Sequence, residues 1–183
     1  MNGAPLYIVD IIGQVVAATD AVLFPTLNKH IDYLYGRPTQ ILTQLQKMNG
    51  GTTTKDLKYP LIALFMDFPE QSGGSAYYAE VKFPKISIAT LTTSTDTPAQ
   101  RYPKTFKTTL YPILQEFLRQ LALHPNIVGN DPNAFPKLKW DRPGTQPEGS
   151  NLNDYLDAIE LNNLQLTFKQ VNICSKKVKI NSQ

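Results

Sequence analysis

Cysteine is almost absent from this chain, which has one thiol, Cys174, in 183 residues. A single thiol cannot form an internal disulfide, so a hydrophobic core must stabilise the fold, and 42% hydrophobic residues are enough to build one. Histidine is scarce too. His30 and His124 are far apart and lack Cys, Asp or Glu partners at metal-ligand spacing. These absences argue against a disulfide-stapled scaffold and against a histidine-based metal site.

The sequence also lacks the usual catalytic motifs. No serine stands in a Gly-x-Ser-x-Gly elbow, and no glycine-rich loop has the spacing of a phosphate cradle. Gly73 and Gly74 are simply typical of a turn. We therefore predict no cofactor and no metal.

Long apolar runs and strong charge are missing as well. No run approaches the roughly 20 residues of a membrane span, and no basic region precedes the first apolar residues, so we expect a soluble, unsecreted protein without a membrane partner. The net charge of +3 is small for a dedicated nucleic-acid binder. Basic residues gather in a C-terminal arm, residues 169–183, which is either a solvated terminus or a contact for a neighbour or a polyanion.

What is present centres on Tyr59–Thr93, where two β-rich runs flank a Pro/Gly/Ser turn. The first run, 59–68, does not alternate, which is typical of a strand buried on both faces. The second run alternates until Pro84, where the apolar phase changes. We predict a bulge at 83–85. Because proline lacks an N–H donor, we also expect this strand to lie at a sheet edge or at a corner where it bends outward, and such a strand could pair with a neighbouring subunit.

The other elements follow from apolar spacing. Residues 6–23 are predicted to form one amphipathic helix, or two short ones because Gly13 weakens the middle. Further helices are predicted from Pro38 to about Gly50 and from about Tyr111 to His124, with strands over 31–35 and 155–168. A second phase change at Asn162-Asn163 predicts a second bulge. Residues 93–104 and 125–150 are expected to be long loops, and Trp140 would pin the second to its own domain or to a partner. Residues 1–168 thus form one α+β domain, with a mainly antiparallel, bulged sheet covered on one face by helices.

One constellation carries possible chemistry. Asp67 ends the first strand, and Glu80-Val81-Lys82 lies on the next, which resembles the acidic-plus-Glu-x-Lys arrangement of a large nuclease superfamily. Glu80 and Lys82 share a strand face, where carboxylates would hold a divalent metal and the lysine would position water. An alternating strand also produces this weak pattern by default on its solvated face.

The layout of the chain resembles a family of virion proteins. It combines an N-terminal helix with four segments: "YPLIALFMDFPE", "YYAEVKFPKISIATLT", "RYPKTFKTTLYPILQEFLRQL" and "NDYLDAIELNNLQLTF". Over roughly residues 5–168 this order is similar to the tail-terminator and tail-completion proteins at the head-tail junction of tailed bacteriophages, specifically of Bacteroidetes phages and prophages.

The resemblance implies a non-enzymatic structural protein that forms a ring of about six subunits. In that family the ring caps the tail tube, stops its polymerisation and meets the head-completion, neck or portal-side proteins. The genomic DNA passes through the lumen without sequence-specific contacts. The expected location is the virion, after assembly in the host cytoplasm. Another neck ring protein, a generic adaptor and the nuclease remain alternatives.

If the protein forms a ring, particular residues are expected at its contacts. The bent strand and the proline-rich loop would meet a neighbouring subunit or the tube through five residues: Phe83, Pro84, Ile86, Ile88 and Trp140. Five lysines are expected to face the lumen or the DNA: Lys55, Lys58, Lys176, Lys177 and Lys179. Their contacts with phosphate should be weak and salt-sensitive.

Overall fold

The computed structural model describes residues 8–49, 58–66, 70–72, 78–131, 135–145 and 151–169, with side chains described for 8–48, 58–66, 80–129 and 154–169. The helices are α1 (Ile8–Leu27), α2 (Pro38–Asn49), α3 (Pro98–Arg101), a π-helix (Tyr102–Leu110) and α4 (Tyr111–Leu123). The strands are β1 (Asp32–Gly36), β2 (Leu61–Phe65), β3 (Glu70–Ser72), β4 (Tyr78–Leu91), β5 (Ile127–Asp131), β6 (Phe135–Thr145) and β7 (Asn151–Lys169).

All seven strands belong to one sheet. Its order is β1-β2-β4-β7-β5, while β3 pairs with β4 and β6 pairs with β7. β1 and β2 are parallel and are joined through α2, whereas the other strand pairs are antiparallel. The predicted α+β class with a mainly antiparallel sheet is therefore confirmed.

The main core lies between the sheet and three helical segments. α1, the π-helix and α4 bury apolar side chains against the face that carries Ile62, Phe83, Ile88 and Leu161, because their apolar residues recur at helical spacing. α2 packs on the opposite face, where Ile41 and Leu45 meet a smaller cluster. The helices thus cover mainly one face, and α2 adds a local cover to the other.

The predicted phase changes in β4 and β7 occur directly opposite each other. Phe83 pairs with Leu164 and Lys85 with Asn162, so the register runs unbroken past Pro84. A bulge adds a residue to one strand only, and that part of the prediction is wrong. Instead, the alternation of inward and outward side chains shifts by one residue in both strands at the same point. Asn163 lies there in the left-handed region, at φ 60°. We call this feature the paired kink.

The predicted edge position of β4 is also wrong, because β4 lies inside the sheet. One side pairs with β7 along its length, and the other pairs first with β3 through Ala79–Val81 and then with β2 through Ile86–Ala89. Pro84 falls between these two partners. Its missing N–H is therefore tolerated without an exposed strand edge.

Both predicted loops contain regular structure. Within 93–104 the chain enters α3 at Pro98, and the π-helix then runs directly into α4, so the expected start of α4 at Tyr111 is confirmed within a longer helical segment. Within 125–150 lie β5 and β6, which both pair with β7. Residues 125–150 are too polar and proline-rich for their own sequence to predict strands. Their pairing with β7 is a contact between remote segments.

α1 corrects a further expectation. By length and composition it is apolar enough to cross a membrane, with 20 residues and a hydropathy of 1.6. Core helices pass the same test, and here Ile11, Ile12, Val15, Val16 and Thr19 are buried. Gly13 lets the helix approach β1, since a Cβ there would lie 3.2 Å from the Tyr33 ring.

Candidate functional site

A concavity lies at the β1 end of the sheet, and we call it the β1 groove. Its volume is about 570 Å³. It is lined by Tyr33, Leu34, Tyr35, Gly36, Gln40, Gln44 and Met66. A second, shallower hollow of about 320 Å³ continues from it along α2 and shares Gln40 and Gln44 with it.

The groove is formed where β1 ends and α2 begins. Gly36 adopts φ 144°, which favours glycine, and the Met66 backbone N–H donates to its carbonyl at 3.1 Å. Pro38 then starts α2 at a position where no intrahelical donor is needed. The Gln40 side chain turns back to accept a hydrogen bond from the Arg37 N–H at 2.9 Å. These contacts fix the walls of the groove.

Two tyrosines give the groove an aromatic wall. Tyr33 and Tyr35 lie on the same face of β1, with ring centroids 5.8 Å apart. The Tyr33 hydroxyl donates to the Val9 carbonyl at 3.1 Å, and burial raises its pKa, so it stays protonated. Tyr35 is 51% exposed and Met66 41%. The described lining thus combines two phenol rings and a thioether with the amide side chains of Gln40 and Gln44.

The opposite end of the sheet also presents a strand edge. β5 pairs with β7 and is anchored at its start, where the Lys169 N–H donates to the Asn126 carbonyl at 2.8 Å. Val128 on this strand is 55% exposed. Among the described strands, β1 and the short β3 end the sheet on one side, and β5 and β6 end it on the other.

Most residues predicted for subunit contacts are in the protein's own core. Phe83, Ile86 and Ile88 are fully buried in the main cluster, so their assignment to an interface is wrong. They were misplaced because β4 was taken for an edge strand. Pro84 is exposed. The side chain of Trp140 lies outside the described residues, and its backbone belongs to β6.

Of the five lysines predicted to face the lumen, the structure describes only Lys58. Lys58 is fully buried and its ammonium contacts the Asp154 carboxylate, so a role in facing DNA is wrong for it. Lys55, Lys176, Lys177 and Lys179 lie outside the described residues. Their assignment to the lumen stays a prediction.

Sequence reasoning missed two buried ion pairs on β7. On one face Asp154 meets Lys58, and on the other Asp157 meets Arg101 at 3.2 Å. The Thr105 hydroxyl also donates to Asp157 at 2.7 Å, which ties the start of the π-helix to the sheet. The available signal was the pair of acids among the apolar residues of "DYLDAIEL".

The nuclease constellation is only partly described. Glu80 and Lys82 are both exposed on one face of β4, as alternation predicts, and Asp67 lies outside the described residues. Within the described part of the chain, His, Cys, Asp and Glu side chains form no group of three that could hold a metal ion.

No protein-family model matches the chain, and no curated protein matches it significantly.

Proposed function

We propose that this chain is a non-enzymatic structural protein of the phage head-tail junction, which forms a ring of about six subunits on the end of the tail tube. Its partners would be further copies of itself, the tail tube protein and the head-completion, neck or portal-side proteins, with DNA passing through the lumen. The proposal rests on the resemblance in element order. It places the protein in the virion and, before that, in the host cytoplasm during assembly.

The observation that carries the proposal is the sheet with two different open ends. A ring requires a heterologous interface, in which one surface of a subunit meets a different surface of the next. β1 offers a strand edge with the aromatic wall of the β1 groove, and β5 and β6 offer a second, different edge. Exposed strand edges pair readily with other strands, so the two ends are suited to contact between subunits.

This assignment replaces the interface predicted from sequence. Tyr35 and Met66 on one edge and Val128 on the other now take the place of Phe83, Ile86 and Ile88. All three side chains are more than two-fifths exposed. Their removal from water would lower the free energy of the assembly. Each would be covered by the neighbouring subunit in a closed ring.

The test is to place a charge on the proposed edge. We expect Tyr35→Asp to leave a folded monomer and to abolish rings, because a carboxylate buried without a partner is strongly unfavourable. Light scattering measures the mass, and circular dichroism checks the fold. Val22→Asp is the matched control, since Val22 is 46% exposed but belongs to α1. Equal loss of rings in both variants would contradict the assignment of the β1 edge.

A second candidate of another class is a metal-dependent nuclease that uses Asp67, Glu80 and Lys82. The shared exposed face of Glu80 and Lys82 favours it. Incubation of the protein with DNA and Mg²⁺ separates the two candidates. The connector proposal expects no cleavage above that of a Glu80→Ala, Lys82→Ala double variant.

A further inference from the structure

Lys58, Tyr59 and Asp154 form a buried polar cluster that the proposed connector function does not use. The Lys58 Nζ contacts the Asp154 Oδ2, and the Tyr59 hydroxyl donates to the same oxygen at 3.2 Å. Lys58 precedes β2 and Asp154 lies on β7, 96 positions apart in the chain. The amine, the carboxyl group and a hydroxyl donor thus meet at one point.

The cluster is shielded from water. The side chain of Lys58 is fully buried and that of Asp154 is 5% exposed, while Tyr59 is 2% exposed. Tyr59 packs with Leu61, Ala63, Ala89 and other residues of the smaller core cluster beneath α2. Exclusion of water removes the reactant that would hydrolyse an amide, and low polarity disfavours separated charges.

We propose that Lys58 and Asp154 join covalently through an isopeptide bond that the folded chain forms by itself. A proton passes from the ammonium to the carboxylate across their hydrogen bond, and Nζ attacks Cγ of Asp154. The Nζ–Cγ bond forms and the Cγ–Oδ2 bond breaks. Oδ2 leaves with two protons that came from the ammonium, so the products are one amide and one water, and no oxidant or co-reactant is consumed.

The fold holds the two reacting groups in contact, whereas in solution they would have to meet by diffusion. Amide formation between free groups is slow, and holding the two partners in contact removes most of the entropic cost of bringing them together. Burial and the neighbouring Asp154 raise the pKa of Tyr59, so it remains an O–H donor over the physiological range. Its hydroxyl donates to Oδ2, the oxygen that leaves, and so assists the departure of this oxygen as water.

The other buried ion pair provides an internal control. Arg101 and Asp157 are as deeply buried, with side chains 6% and 0% exposed. A guanidinium stays protonated and is a poor nucleophile. The reaction should therefore link Lys58 to Asp154 and leave Arg101 and Asp157 unlinked.

The experiment is mass spectrometry of the purified full chain under denaturing conditions. We expect an intact mass lower than the sequence mass by one water. A protease digest should contain a branched peptide that joins Lys58 to Asp154, and trypsin should fail to cut after Lys58. The branched peptide is the decisive observation, because a succinimide formed from aspartate also loses water. A folded protein with the full sequence mass, or a water loss located elsewhere, would overturn the proposal.

Three variants sharpen the result. Lys58→Arg keeps the charge and Asp154→Ala removes the carboxyl group, and both should restore the full mass expected for their sequences. Tyr59→Phe keeps the ring but lacks the donor, so we expect a smaller linked fraction at a given time after synthesis. An unchanged linked fraction in Tyr59→Phe would contradict the role given to its hydroxyl. The wild-type measurement stands even if a variant fails to fold.

Discussion

At the scale of single residues, the Arg101–Asp157 pair explains how the long helical segment is attached to the sheet. Asp157 is fully buried and takes hydrogen bonds from Arg101 and Thr105. Replacing one partner leaves the other buried charge without its ion-pair partner, which costs about 3–5 kcal/mol. We therefore expect Asp157→Ala to lower the free energy of unfolding by that amount in chemical denaturation. Lys104→Ala breaks the exposed pair with Asp96 and should have no measurable effect.

Asp32 is expected to make stability depend on pH. Burial raises the pKa of its carboxyl group, and the hydrogen bond from the Tyr33 N–H opposes this only in part. A raised pKa in the folded state means that the charged form is penalised, so stability falls as the pH rises through the carboxyl range. Asp32→Asn should unfold at higher denaturant concentration than wild type near neutral pH, with the gain vanishing at about pH 3. A destabilised variant at neutral pH would contradict this account.

At the scale of elements, the paired kink lets β4 and β7 keep apolar residues inward on both sides of Pro84. It requires Asn163 at φ 60°, a conformation that asparagine tolerates and β-branched residues do not. Because Asn163 is exposed, its replacement changes little packing. We expect Asn163→Val to cost about 1–2 kcal/mol and Asn163→Gly to leave stability nearly unchanged in chemical denaturation. Equal effects of the two substitutions would show that the left-handed conformation carries no cost.

The elements also show where sequence reasoning succeeds and where it stops. α1, α2, α4 and the buried β2 follow from local spacing, and each was predicted close to its observed bounds. The phase changes at Pro84 and Asn163 were visible too, because each is a property of its own strand. The two phase changes lie opposite each other because β4 pairs with β7. These segments are about 80 positions apart, so local sequence patterns cannot predict their pairing. The interface prediction failed at this point, since a strand with proline was taken for an edge.

The same limit applies to the polar clusters and to the β1 groove. Lys58 was expected to face the lumen or the DNA. Lysine is almost never fully buried without a partner, and the partner that allows its burial, Asp154, is remote in sequence. The groove depends on β1 being parallel to β2, a pairing that needs the α2 crossover. Tyr35, which lies on the same strand face as Tyr33, is half-exposed there.

At the scale of the whole molecule, the sheet explains both how a single chain could be stable and why it could assemble. The core between the sheet and the α1, π-helix and α4 cover supplies stability within one subunit. The two open ends of the described sheet leave different surfaces at β1 and at β5 and β6. Copies that pair these surfaces head to tail would close into a ring if the rotations between successive subunits add up to one full turn without a shift along the ring axis.

The most direct test of the proposed ring is the mass of the purified wild-type protein, measured by light scattering across a range of concentrations with negative-stain images of the same sample. The proposal predicts closed rings of about six subunits that become the dominant species as concentration rises. A folded monomer at every concentration would contradict a subunit that closes into a ring through its own sheet edges.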